Sequence, residues 1–122
     1  LYGLMEESKG NKTMILCLAL SYGGREDILR CIQEIGRKIR QQELNPDEID
    51  AEVFESYLST NLLPPLDLLI RTSGEFRLSN FLLWQAAYAE YAFVDVYWPA
   101  FRYIDFLRAL RDFTRRTRRY GK

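Results

Sequence analysis

Segments that read alternately as buried strands and amphipathic helices predict an α/β fold, a parallel sheet with flanking helices. Two observations carry that prediction. Short unbroken apolar runs, at residues 13–20 (TMILCLAL) and 66–70 (LDLLI), are bounded by turn residues, as in strands covered on both faces. Between them Ile28, Ile32, Ile35 and Ile39 recur at three- and four-residue spacing, which sets one apolar stripe along a helix.

Taken in order, the run at 13–20 is the first expected strand and stops at the turn Ser21-Tyr22-Gly23-Gly24. The helix that follows is expected over residues 27–42, with Glu26 and Asp27 at its start and Arg37, Lys38 and Arg40 near its end, as the helix dipole favours. Asn45-Pro46-Asp47-Glu48 is a capping sequence with proline at the first helical position. A second short helix turns Val53, Phe54, Tyr57 and Leu58 inward before Pro64-Pro65. The strand at 66–70 leads into a turn at 71–79, a helix over 80–91 and a third strand at 93–97, closed by Trp98-Pro99. The last helix is expected over 103–119, burying Phe106, Leu107, Leu110 and Phe113. No linker or repeat divides the 122 residues, so they read as one domain or part of one, and the start at Leu1 suggests a fragment.

Composition narrows the function. There is no histidine, which excludes Ser-His-Asp and Cys-His catalysis and every histidine-ligated metal site. Seventeen basic and seventeen acidic side chains cancel, so no bulk field favours nucleic acid or membrane. Cys17 and Cys31 lie in apolar surroundings and read as reduced core residues of a cytosolic protein. No apolar run approaches the length of a membrane span, and no secretory leader opens the sequence.

Ligands of open α/β sheets bind beyond the carboxyl ends of the strands. That rule selects the turn at 21–25, the loop at 71–79 and the segment at 98–101. In the loop, Arg71 and Arg77 flank Thr72, Ser73, Gly74 and Glu75, ahead of an expected helix N-terminus. Guanidinium groups bind phosphate oxygens in pairs, helix N-termini offer free N–H groups, and glycine lets backbone approach a ligand. The alternative is a solvated loop in which both arginines pair with Glu75 and Glu90. Tyr22-Gly23-Gly24-Arg25 is either a second phosphate cradle or only a tight turn. Glu90, within the apolar-aromatic stretch 86–93, needs an arginine or a metal ion as partner. The arginine-rich end reads as a solvated helix face, a nucleic-acid contact or a phosphate contact. The inward aromatics of its helix argue against nucleic acid.

At this point the order of residues becomes specific. Asp67-Leu68-Leu69-Ile70-Arg71-Thr72-Ser73-Gly74-Glu75, followed by Arg77-Leu78-Ser79-Asn80-Phe81-Leu82-Leu83-Trp84-Gln85, resembles the signature of cis-prenyltransferases of the undecaprenyl diphosphate synthase type. Ala87-Tyr88-Ala89-Glu90, Val96-Tyr97-Trp98-Pro99 and Tyr22-Gly23-Gly24-Arg25 continue the match, with Ser21 in place of the family's asparagine. Arg119-Tyr120-Gly121 is similar to the family's terminal Arg-x-Gly motif. The resemblance spans the chain and places it in the C-terminal half of the family's fold, so that residues 1–122 form a partial domain.

The resemblance implies condensation of isopentenyl diphosphate with an allylic diphosphate such as farnesyl diphosphate, giving a long cis-polyprenyl diphosphate. Undecaprenyl diphosphate for a cell-wall lipid carrier is the favoured product. Arg71, Arg77 and Ser79, with backbone near Leu78, match the isopentenyl-diphosphate site, and Arg119 and Gly121 would reach it from the other subunit of a homodimer. Glu90 matches a glutamate associated with Mg2+. Phe76 stands where some members carry a histidine near that metal, and it cannot ligate. The family's catalytic aspartate and allylic-diphosphate loop belong to the N-terminal half, so this chain alone is expected to be inactive. The resemblance further implies a cytoplasmic protein that touches the membrane, if at all, through its lipid product. A non-catalytic partner subunit of a two-component cis-prenyltransferase is the competing assignment. Missing strands should leave part of the sheet uncovered, as exposed apolar surface or as a dimer interface.

Overall fold

The computed structural model describes residues 2–116. A short helix, α1 (Tyr2–Ser8), lies exposed at the start and was not expected from the sequence. Helix α2 (Gly24–Arg40) follows, then one 3-10 turn (Pro46–Glu48), helix α3 (Ala51–Ser56), strand β1 (Leu68–Arg71), strand β2 (Glu90–Phe93), a second 3-10 turn (Trp98–Ala100) and helix α4 (Tyr103–Thr114). The sheet is a parallel pair with Leu68 opposite Glu90 and Arg71 opposite Phe93. The α/β class with flanking helices is the one expected.

Helix α2 starts three residues earlier than its apolar stripe suggests. Its buried side is Gly24, Asp27, Cys31 and Ile35, while Ile32 is 55% exposed. The stripe is therefore rotated toward Asp27, whose carboxylate is drawn in by hydrogen bonds. Asn45 caps its 3-10 turn by accepting from the Asp47 N–H, and Asp50 caps α3 by accepting from the Val53 N–H at 2.8 Å. Leu58 is buried behind α3, as expected.

Three expectations are corrected. Residues 13–20 form no strand: Met14 and Leu16 are 76% and 75% exposed, and Cys17 is exposed with them. A strand needs a ladder partner on at least one side, and none exists for this segment among the described residues. Cys31 alone fits the buried-cysteine expectation. The exposed apolar surface anticipated for an incomplete sheet is present here, and Leu29 and Ile32 of α2 are exposed as well.

No helix spans 80–91. Ser79, Asn80 and Leu82 adopt left-handed φ angles of 48°, 66° and 47°, which a right-handed helix cannot contain, and the segment proceeds as turns. Its side chains are held against the α3 region instead. The Trp84 indole N–H donates to Glu55 Oε1 at 2.9 Å, and Gln85 Nε2 donates to Thr60 Oγ1 at 2.7 Å. Because the turns end early, the second strand begins at Glu90 rather than residue 93. Finally, α4 buries Asp105 and Ala109, whereas Phe106 and Leu107 stay exposed. With two strands to lie on, α4 covers little of its own apolar surface.

Candidate functional site

The loop after β1 hangs from the sheet at its near end. The Ser73 N–H donates to the Val96 carbonyl at 2.8 Å, and the Gly74 N–H donates to the Val94 carbonyl at 3.1 Å. Gly74 has φ +65°, and a Cβ there would stand 2.7 Å from Asp95 Oδ1. Glycine is thus required by backbone conformation and by the approach of Asp95. The loop then turns outward. Arg77 is 64% exposed and its Nη1 lies 2.6 Å from Glu75 Oε2. Arg71, half-buried at the end of β1, has no carboxylate partner among the described residues. Leu78 is half-buried and Ser79 exposed.

The solvated-loop alternative is therefore met at Arg77 but not at Arg71. The Arg77–Glu75 pair does not close the site, because exposed pairs contribute only ~0.2–1 kcal/mol. A charge-assisted bond to a phosphate oxygen contributes about 1.5–3 kcal/mol. The free helix N-terminus expected after the loop is absent, since turns follow.

The turn at 21–25 proves to be closed. Asn80 occupies it: its carbonyl accepts from the Gly24 N–H at 2.6 Å, and its Oδ1 accepts from the Arg25 N–H at 2.8 Å. These are donors that a phosphate cradle would need. A Cβ at Gly24 would lie 3.0 Å from the Leu83 backbone nitrogen. Gly23 and Gly24 serve close packing, so the tight-turn alternative holds.

Behind this turn lies a network the sequence did not reveal. Asp27 is 6% exposed. Its carboxylate accepts from Arg30 Nη2 at 2.7 Å, from the Ser59 hydroxyl at 2.9 Å and amide at 3.1 Å, and from the Tyr22 hydroxyl at 3.3 Å. Burial pushes the Asp27 carboxyl up, but the Arg30 and Ser59 hydrogen bonds outweigh it and hold it below its usual range. The Tyr57 carbonyl accepts from both Arg30 and the Cys31 thiol, which fastens α3 to α2. The available signal was an aspartate beside an isoleucine stripe, and dipole placement already accounted for it.

Glu90 stands at the start of β2, where its Oε2 accepts from Arg116 Nη1 at 3.0 Å. The same Arg116 nitrogen donates to the Tyr91 carbonyl at 2.9 Å. An arginine thus supplies the partner that Glu90 required. No cluster of three His, Cys, Asp or Glu side chains capable of holding a metal occurs among the described residues. Magnesium binds through several oxygen ligands, and Glu90 alone does not make such a site. Phe76, 79% exposed, packs against Phe93 with ring centroids 5.1 Å apart. Arg119 and Gly121 lie outside the described residues.

Along α4 the arginines are paired as well: Arg102 and Arg108 with Asp105, Arg111 with Asp112. A cleft of about 260 Å³ runs between α4 and the sheet, bordered by Arg108, Asp112 and Arg116. It takes in none of Arg71, Arg77, Leu78 or Ser79. No helix among the described residues is long and apolar enough to cross a membrane.

Comparison with known proteins bears on this arrangement as a whole. Residues 1–121 match the undecaprenyl diphosphate synthase family of prenyltransferases. The tritrans,polycis-undecaprenyl-diphosphate synthase (geranylgeranyl-diphosphate specific) of Methanopyrus kandleri is 51% identical over 115 residues, 94% of this chain and 42% of its own length. The isoprenyl transferase of Bacillus subtilis is 47% identical over 117 residues, 96% of this chain and 45% of that protein. Lavandulyl diphosphate synthase from Lavandula x intermedia, solved with dimethylallyl diphosphate, superposes with a TM-score of 0.94 at 41% identity. That match covers 99% of this chain and 52% of the plant protein. The chain spans less than half the length of the two curated relatives. Motifs, fold and near-complete coverage agree, and the chain belongs to the cis-prenyltransferase family.

Proposed function

We propose that this chain is the C-terminal half of a cis-prenyltransferase and supplies the isopentenyl-diphosphate side of its site. The observation that carries the proposal is the loop at the carboxyl end of β1, with Arg71 lacking a carboxylate partner among the described residues and Arg77 in an exposed pair with Glu75. Arg71, Arg77 and Ser79, with backbone at Leu78, hold the diphosphate. The homoallylic double bond is thereby aligned with the electrophilic carbon of the allylic partner. Their contribution is positioning and charge. Carbon–carbon bond formation expels the allylic diphosphate, and a proton leaves the extended chain to give the new cis double bond.

The allylic partner and most of the growing chain belong to the part of the protein beyond this chain. The name of the Methanopyrus kandleri relative supports a polyprenyl diphosphate of undecaprenyl length primed by geranylgeranyl diphosphate, while farnesyl diphosphate as primer rests on the family resemblance alone. A homodimer would bring Arg119 and Gly121 of one subunit to the diphosphate of the other. For magnesium, Glu90 would have to leave Arg116 and find its fellow ligands outside the described residues. In the cell the protein works in the cytoplasm and meets the membrane through its lipid product.

The test is Arg77→Ala in the full-length protein, assayed by incorporation of labelled isopentenyl diphosphate. Loss of its charge-assisted bonds should lower kcat/KM for isopentenyl diphosphate by roughly 1–3 kcal/mol, mostly through KM. Unchanged kinetics would assign Arg77 to the solvated loop and overturn the proposal.

A further inference from the structure

We infer that Asn80 is a positioning residue that fixes the far end of the diphosphate loop by clasping the first turn of α2. The inference rests on the isopentenyl-diphosphate reading of that loop and adds to it a residue that touches no substrate.

Three consecutive residues of α2 are bound by this one side chain and its carbonyl. The carbonyl accepts from Gly24 N–H at 2.6 Å, Oδ1 accepts from Arg25 N–H at 2.8 Å, and Nδ2 donates to Glu26 Oε2 at 2.8 Å. The two glycines leave room for it. A Cβ on Gly23 would collide with the Glu26 carboxylate and lie 2.8 Å from Asn80 Nδ2, and one on Gly24 would lie 3.2 Å from the Asn80 carbonyl oxygen. The Glu26 carboxyl is held below its usual range, chiefly by the Asn80 amide. Phe81 adds an edge-on contact with the Tyr22 ring at 5.8 Å.

The clasp matters because of what it suspends. At its near end the loop is tied to the Val94–Val96 segment through Ser73 and Gly74. Between that tie and Asn80, Arg77 is held among the described residues by its exposed bond to Glu75 alone. Ser79 and Asn80 are both left-handed, a conformation that costs about 1–3 kcal/mol per non-glycine residue and persists where surrounding bonds impose it. Asparagine tolerates that region better than most residues, and its amide meets a helix N–H and a carboxylate together. Releasing the clasp lets the 77–79 segment drift relative to Arg71. A displacement of that kind weakens the two-armed grip on a diphosphate without removing either arm.

The decisive variant is Asn80→Asp, which keeps the acceptor for Arg25 but sets a carboxylate against Glu26. In the full-length protein KM for isopentenyl diphosphate should rise about tenfold, with kcat and the allylic KM within about twofold of the parent. Adding Glu26→Gln restores a donor–acceptor pair with its sense reversed and should recover most of the loss. A merely structural asparagine would lower Tm and move both substrates together. Should Asn80→Asp fail to fold, Glu26→Ala on the exposed helix turn should raise the same KM about threefold. An unchanged KM in the folded variant, or no recovery in the pair, overturns the positioning role. Arg77→Ala measured alongside separates the two claims. If it raises KM while Asn80→Asp does not, only the clasp fails. If neither does, the diphosphate reading falls and takes the clasp with it.

Discussion

The turn at residues 21–25 and the loop at 71–79 are built from the same kinds of residue, yet they end in opposite states. Each combines glycine with arginine at a point where a phosphate could sit. In the first, the helix N–H groups of Gly24 and Arg25 are consumed by Asn80, and Asp27 just beyond is saturated by Arg30, Ser59 and Tyr22. In the second, the backbone is satisfied by Val94 and Val96, while Arg71 has no carboxylate partner among the described residues and Arg77 has an exposed one. Composition nominates an anion site. Which groups stay unspent decides it, and only tertiary contacts reveal that.

The comparison is broken most severely at Asp27. Asp27→Ala strands the Ser59 amide and hydroxyl in a buried setting and leaves Arg30 without its anion. Each orphaned group costs about 1–3 kcal/mol, so a loss near ~3 kcal/mol of stability is expected. Denaturant unfolding of the full-length protein checks this. A loss within experimental error would mean that the closed region is not held by this network.

Much of the fold was legible because periodicity and capping act locally. The α2 stripe, the Asn45 cap and the apolar strand expected at 66–70, observed as Leu68–Arg71, needed no distant partner to be recognised. Residues 80–91 were misread because leucine, tryptophan, glutamine and alanine favour helix. The left-handed backbone at Asn80 and Leu82 is imposed instead by contacts with α2 and α3, a tertiary override of propensity. Residues 13–20 carry a sound strand pattern, but no ladder partner for it occurs among the described residues. At the site, Arg71, Arg77 and Glu90 stood out in the sequence as candidates because of their residue types. The partners Arg116 and Asn80 were not, since a contact across 26 or 54 positions leaves no mark in local spacing.

A sharper form of the comparison uses the glycines. Gly24→Ala forces a methyl to 3.0 Å from the Leu83 backbone nitrogen, which cannot yield without moving the turn. Overpacking of that kind costs about 1–3 kcal/mol, and about 2 kcal/mol is expected. Gly74→Ala meets the Asp95 carboxylate, a side chain that can swing aside, and retains a left-handed φ that costs about 1 kcal/mol. The ratio is the test. If Gly74→Ala proves the more damaging in thermal unfolding, the loop is the rigid region and the contrast is reversed.

The smallest effect is that of acid, and its sign follows from the closed region. The Asp27 carboxyl is held below its usual range in the folded protein. The unfolded chain therefore takes up a proton first as pH falls. The stabilisation is complete above the unfolded carboxylate range and is lost as pH drops through the folded value. The effect is smaller than deletion because a protonated carboxyl still accepts from Ser59. Asp27→Asn keeps the shape, removes the titration, and should flatten the acid limb of the stability profile while lowering its neutral plateau. An unchanged acid limb in that variant would place the proton uptake at other carboxylates. Asp105, lowered chiefly by its hydrogen bond from Arg102, is the first to examine, and the acid sensitivity would then lie at α4 rather than at the closed turn.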